Sequence, residues 1–175
     1  GKPKGIRISH RSLCNLILSF KRKLNLNDND NLCSVTSINF DISILEFFLP
    51  LICGSKLIIS SNIVSKNGLK LIELIEKNKC TYMQATPSTW NMLIENNWIG
   101  NPNMNILCGG EALKNNLARK LIKLCKTIIN VYGPTETCIW STYKVINDSE
   151  NITIGRPLDS QTTYVVNKYN KIVPK

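Results

Sequence analysis

Short β-branched runs alternate with amphipathic stretches of about ten residues along nearly the whole chain, and this alternation restricts the fold more than any other feature. Residues 9–23 read as a helix with Leu13, Leu16, Ile17 and Phe20 on one face. Residues 32–37 read as a strand. A helix at 41–49 follows, with Ile44, Phe47, Phe48 and Leu51 at helical spacing, kinked or ended near Pro50. A strand at 56–60 leads into a polar loop, then a helix at 68–78, a strand at 81–85 and a helix at 87–96. Pro87 opens that last helix at a favoured position. A strand at 105–108, a helix at 114–125 with Leu117, Leu121, Leu124 and Cys125 inward, and a strand at 127–131 complete the series. In the tail, 141–146 and 162–166 read as strands with no helix between them. The pattern predicts βαβ units, and so an α/β fold with a mainly parallel sheet flanked by helices. No internal repeat or low-complexity linker breaks it.

The bulk numbers permit one domain or a large piece of one. The chain has 175 residues and 43% hydrophobic content, enough for a core. No run of 18 apolar residues exists, so no membrane span is expected. The start, Gly-Lys-Pro-Lys-Gly, lacks an apolar segment behind its charges, so no signal peptide is expected. Without an initial Met the sequence is expected to be cut from something longer. Seven scattered cysteines without a Cys-x-x-Cys pair, and a single histidine, argue against a thiolate metal site. They suit reduced, buried thiols in a cytoplasmic protein. The net charge of +10 raises nucleic acid as a partner, but the lysines are dispersed. The one tight basic run, Lys21-Arg22-Lys23, falls at a predicted helix end, where cations suit the helix dipole. No specific nucleic-acid partner is expected.

Chemistry concentrates in the turns. Residues 130–136 read Asn-Val-Tyr-Gly-Pro-Thr-Glu and follow the run Thr127-Ile128-Ile129. Gly133-Pro134 stops that strand in a tight turn. An aromatic ring, a hydroxyl and a carboxylate then stand at its carboxyl end, the edge where open α/β sheets bind ligands. A ring stacks on a purine, a hydroxyl holds a phosphate oxygen, and a carboxylate holds Mg²⁺. Three other turns share the design: Cys108-Gly109-Gly110-Glu111-Ala112, Phe40-Asp41-Ile42-Ser43 and Gln84-Ala85-Thr86-Pro87-Ser88. Each alone has an ordinary reading. Asp41 or Asn39 serves as a helix cap, Gly109-Gly110 as a turn, and Gln84 as a polar strand end.

Taken in order, Gly1-Lys2-Pro3-Lys4-Gly5, Phe40-Asp41-Ile42-Ser43, Gly110-Glu111-Ala112, the heptad 130–136 and Ile154-Gly155-Arg156-Pro157 closely resemble the adenylation domains of non-ribosomal peptide synthetases. That family shares the adenylate-forming superfamily with acyl-CoA synthetases and luciferases. The resemblance covers essentially the whole chain, and the heptad matches everywhere except the variable position, Val131. It implies part of the large N-terminal domain of the adenylate-forming fold. It also implies ATP-dependent activation of an amino acid as an aminoacyl adenylate, followed by transfer to the phosphopantetheine thiol of a peptidyl carrier protein beside neighbouring synthetase domains.

The same resemblance implies roles for individual residues. Asn130 bonds the adenine amino group, Tyr132 stacks on one adenine face, and the Gly110-Glu111-Ala112 backbone covers the other. Gly133 belongs to the same nucleotide-binding turn. Thr135, carried as catalytic, contacts the α-phosphate, and Glu136, also catalytic, binds Mg²⁺. Lys4 ends the phosphate-binding loop. Asp41 pairs with the substrate ammonium, a charge-assisted contact. The implied amino-acid pocket is Asp41, Ile42, Leu45, Gln84, Leu107, Gly109, Val131, Ile139 and Trp140. The set resembles those of glycine-activating domains, so glycine is the expected substrate and alanine the next. Selectivity would come from leaving no room, and rejecting one methyl yields only about 1–3 kcal/mol. The ordinary alternative places Trp140 in the core, pointing away from any pocket.

In the family the ribose-binding aspartate, the hinge and the catalytic lysine lie beyond residue 175, and most of the phosphate loop lies before residue 1. Residues 1–175 are therefore expected to form a partial AMP-binding domain without its C-terminal domain, inactive alone and poorly soluble where sheet edges are bare. An acyl-CoA synthetase is the competing enzyme reading, disfavoured because a fatty acid offers Asp41 no ammonium. A basic binding domain is the non-enzyme alternative, and the interleaved aromatics it would need are missing. A degenerate relative is the last, opposed by intact Asp41, Tyr132, Thr135 and Glu136.

Overall fold

A computed structural model describes residues 5–173. The chain runs α1 (His10–Leu24), β1 (Asn31–Ser34), α2 (Ser43–Cys53), β2 (Lys56–Ile59), α3 (Asn62–Ser65), α4 (Gly68–Lys77), β3 (Tyr82–Ala85), α5 (Pro87–Glu95), β4 (Asn101–Cys108), α6 (Asn115–Leu124), β5 (Cys125–Tyr132), β6 (Thr142–Val145) and β7 (Arg156–Pro157). The sheet order is β2-β1-β3-β4-β5-β6-β7, parallel from β2 to β5 and antiparallel beyond. The expected mainly parallel α/β sheet is therefore the observed one. Its topology adds what periodicity could not. The chain leaves β1 for one neighbour and returns on the other side as β3, so the connections diverge at β1 and β3. Crevices at such a reversal are where doubly wound sheets bind ligands.

The strands' period of two sorts the core onto two faces. Cys33, Met83, Ile106, Cys108 and Ile128 pack against α4, α5 and α6. Leu32, Tyr82, Leu107, Ile129 and Val131 pack against α1 and α2. Serine 9 caps α1 through its side chain, and Asn25, in the left-handed region, ends it. Arg22 and Lys23 in its last turn grip Asp159, drawing the segment after β7 onto the helix. Among the described residues no helix is long and apolar enough to cross a membrane.

Several expectations need correction. Helix α2 starts at Ser43 and continues through Pro50 to Cys53, ended by Gly54 at φ 73°. Its buried face is Leu45, Glu46 and Leu49, whereas Phe48 and Leu51 are exposed. An almost uniformly apolar helix gives helical periodicity no contrast to read. Strand β4 begins at Asn101, because a polar stretch with an irregularity between Asn101 and Asn105 still pairs with β5. Cys125 opens β5 instead of closing α6. The polar loop after β2 contains α3, capped by Ser61. Residues 162–166 form no named strand, only a bridge between Val166 and Ile172. Val165 there is exposed, so its β-branched character has no partner sheet to act on. The cysteines are free thiols; Cys33, Cys80, Cys108 and Cys138 are buried, but Cys14 is exposed.

Candidate active site

Three turns meet at the carboxyl edge of the sheet. Gln84 lies next to the end of β3, Gly109 follows β4, and Val131 lies near the end of β5. Leu107 pairs with Gln84 on one side and Ile129 on the other, so the alternation places Gln84, Leu107 and Val131 on the α2 face. Gly109 has no spare volume. A Cβ there would stand 2.6 Å from Val131 Cγ2 and 2.7 Å from Trp140 Cη2. Real contacts of that length do not occur, so the indole and the valine are seated directly on the glycine backbone. Leu45, Leu107, Val131, Ile139 and Trp140 share one buried cluster, with Ile42 packed against it.

Trp140 reaches this place through an uncommon backbone. After the 3₁₀ turn Thr135–Thr137, Cys138 and Ile139 both take left-handed conformations, at φ 67° and 71°. The Trp140 N–H donates to the Cys138 carbonyl at 2.8 Å, closing a three-residue turn on Ile139. A β-branched residue resists positive φ, and each such residue stores on the order of 1–3 kcal/mol. Gly133 makes the fold-back possible, since a Cβ there would lie 2.6 Å from the Ile139 carbonyl oxygen. The Ser141 N–H then donates to the Tyr132 carbonyl at 2.8 Å, closing the loop.

The Trp140 indole Nε1 donates to Gln84 Oε1 at 2.8 Å, and Gln84 Nε2 donates to the Ile42 carbonyl at 2.8 Å. Trp140, 1% exposed, therefore faces Gln84 and Gly109 and is not a remote core residue. Asp41 stands partly exposed in the loop between β1 and α2. Neither Asp41 nor Asn39 caps α2; the cap residue is Ile42, without a side-chain bond. The Asp41 carboxylate is thus free of the role that would have explained it away. Burial raises the Cys138 thiol, and the charge of Asp41 raises it further.

Of the residues expected to bind nucleotide, Tyr132, Thr135 and Glu136 are exposed, whereas Asn130 is buried. Tyr132 is 52% exposed, so its ring offers a free face. Asn130 Nδ2 donates to the Thr153 carbonyl at 2.9 Å. That contact turns Oδ1 away as an acceptor, the chemistry an adenine amino group requires. Gly110, at φ 82°, turns the chain toward exposed Glu111 and Ala112, and Glu111 accepts from Ser88 Oγ at 2.6 Å. Burial and the Glu111 charge push the neighbouring Cys108 thiol up to about 12. Thr135 and Glu136 are exposed on the 3₁₀ turn. Glu136 and Thr137 border an open groove of about 870 Å³ shared with Arg7, Arg11 and Gln161. Lys4 lies outside the described residues.

These donors fit Mg²⁺ in one manner. Among the described residues, no three His, Cys, Asp or Glu side chains gather into a cage. One exposed carboxylate beside a groove suits a hydrated ion shared with substrate phosphates. Sequence reasoning passed over Glu46, which is buried beside Gln84 and bonds to it at 3.0 Å. The available signal was a lone carboxylate in an otherwise apolar helix.

The model of the family described as AMP-binding enzyme matches residues 1–175. The PKS-NRPS hybrid synthetase acdB of Aspergillus candidus is 36% identical over 95% of this chain, which spans 7% of that protein. The dimodular nonribosomal peptide synthase of Bacillus subtilis (strain 168) is 35% identical over 99% of this chain, again spanning 7%. Among solved structures, holo-AB3403, a four-domain nonribosomal peptide synthetase bound to AMP and glycine, matches with a TM-score of 0.97 and 40% identity, over 99% of this chain and 13% of that one. The Vibrio cholerae adenylation domain AlmE matches at a TM-score of 0.88 and 24% identity, over 99% of this chain and 35% of that one, a likeness of fold.

Proposed function

The chain belongs to the AMP-binding enzyme family, and from that premise we propose that it is part of a non-ribosomal peptide synthetase adenylation domain that activates glycine. The observation that carries this reading is the Gln84–Trp140 pair, bonded at 2.8 Å, with the Trp140 indole seated on Gly109. It closes the pocket at the depth where a side chain would extend. The glycine and AMP bound by holo-AB3403, 40% identical over this segment, support the choice.

In the proposed reaction a carboxylate oxygen of the amino acid attacks the α-phosphorus of ATP and pyrophosphate leaves. Asp41 holds the ammonium through charge-assisted bonds. Gly109, Val131 and Trp140 exclude larger side chains. Asn130 Oδ1 accepts from the adenine amino group, Tyr132 stacks on the ring, and Thr135 donates to the α-phosphate. Glu136 would hold Mg²⁺, which supplies charge neutralisation on the phosphates. A carrier-protein phosphopantetheine thiol then attacks the acyl carbon and AMP leaves. Carrier and neighbouring synthetase domains are the proposed partners.

The experiment is amino-acid-dependent ATP–pyrophosphate exchange by the natural full-length protein. Glycine is expected to give the highest kcat/KM, with alanine next. A larger amino acid in first place would sink the glycine assignment. Exchange unaffected by Asp41→Ala would remove the ammonium role.

A further inference from the structure

We propose that Glu46 is a positioning residue for the amino-acid pocket, holding the Gln84 amide in the one orientation that secures Trp140. The proposal rests on the reading of Gln84 and Trp140 as pocket walls. Glu46 is 1% exposed and stands outside the nine expected pocket positions.

The end of β1 immobilises its carboxylate. Oε2 accepts from Ser34 Oγ at 2.8 Å, from the Val35 N–H at 2.9 Å and from the Thr36 N–H at 3.1 Å. Oε1 accepts from Thr36 Oγ1 and, at 3.0 Å, from Gln84 Nε2. The Gln84 amide nitrogen has two hydrogens, and the second goes to the Ile42 carbonyl at 2.8 Å. With both hydrogens taken by acceptors, the Gln84 oxygen must face the indole N–H of Trp140.

Orientation of an amide follows from its neighbours' donor and acceptor character. Turned over, Gln84 would set its oxygen against a carboxylate oxygen and a carbonyl. Its NH₂ would meet the indole N–H. Three hydrogen bonds would become three repulsive contacts, and Gln84, Glu46 and Trp140 are almost fully buried. A carboxylate only accepts, so Glu46 imposes the polarity that glutamine at the same place would not. Through Gln84 it sets the position of the ring that limits pocket depth.

The test is pyrophosphate exchange with glycine and with alanine, using the natural full-length protein as wild type, Glu46→Gln, Trp140→Phe and the double variant. Glu46→Gln is expected to raise the alanine-to-glycine ratio of kcat/KM about tenfold, with KM for ATP unchanged. In the Trp140→Phe background, which has no N–H to secure, it is expected to add nothing to that ratio. An unchanged ratio in folded Glu46→Gln, or an equal change in both backgrounds, overturns the proposal. Should Glu46→Gln fail to fold, Gln84→Met carries the test. It keeps the volume, deletes the amide, and is expected to give the same rise; an unchanged ratio overturns the proposal. Failure of the underlying pocket reading is separately visible. Wild type would then prefer another amino acid, and Trp140→Phe would shift no ratio.

Discussion

The Trp140 indole N–H donates to the side-chain oxygen of Gln84 across 2.8 Å, tying the loop after β5 to the end of β3. The two residues lie 56 positions apart. Their bond fixes the ring that the proposed function makes the wall of the amino-acid pocket.

Replacing that ring should widen the pocket. Trp140→Leu is expected to reduce discrimination of glycine over alanine by about tenfold or more, the range one methylene governs. Pyrophosphate exchange with the two amino acids measures it. Equal ratios in wild type and variant would show that the indole does not limit the pocket.

Gly109→Ala introduces a Cβ 2.6 Å from both the side chain and the carbonyl oxygen of Val131. Backbone atoms cannot step aside as a flexible side chain would, so overpacking of about 1–3 kcal/mol is expected. Denaturant unfolding should report the loss, accompanied by weaker use of glycine. Wild-type stability in the variant would mean that this site repacks freely.

Tyr132 is half exposed and its ring adds little to the core. Tyr132→Ala is therefore expected to keep its melting temperature while KM for ATP rises, by about 1–3 kcal/mol of lost stacking. An unaltered KM would exclude the ring from the nucleotide site.

Hydrogen bonds from Lys23 and Arg22 hold the Asp159 carboxyl well below the ordinary carboxylate range. A depressed folded-state pKa stabilises above the unfolded value, about 3.9, and that contribution disappears as pH falls through the folded value. The melting-temperature gap between wild type and Asp159→Asn should accordingly be open near neutrality and narrow progressively as pH drops below about 5. Added salt should narrow it at pH 7, because the pairs are partly exposed. A gap that stays constant with pH would detach Asp159 from the ion pairs.

Much of this architecture is carried by local signals. Strands such as Cys125–Tyr132 and helices such as Pro87–Glu95 are short-range consequences of β-branched runs, caps and proline position. The turns after β4 and β5 are equally legible, because Gly109, Gly110 and Gly133 stand where only glycine suits the backbone. The inward face of α2 was not legible. With Phe47, Phe48, Leu51 and Ile52 as apolar as Leu45 and Leu49, only packing against the sheet selects a side.

The sequence by itself determined the alternating α/β plan, the glycine turns and the order of the motifs from Asp41 to Glu136, since these rest on neighbours along the chain. Tertiary structure alone decided that β1 and β3 form the reversal point and that Asp41 is not a helix cap. It also decided that Glu46, Gln84 and Trp140 make one buried chain of hydrogen bonds. The physical reason is that a hydrogen bond between residues 38 or 56 positions apart depends on which strands become neighbours. That choice is made by burying two faces of one sheet at once, and no local periodicity encodes it.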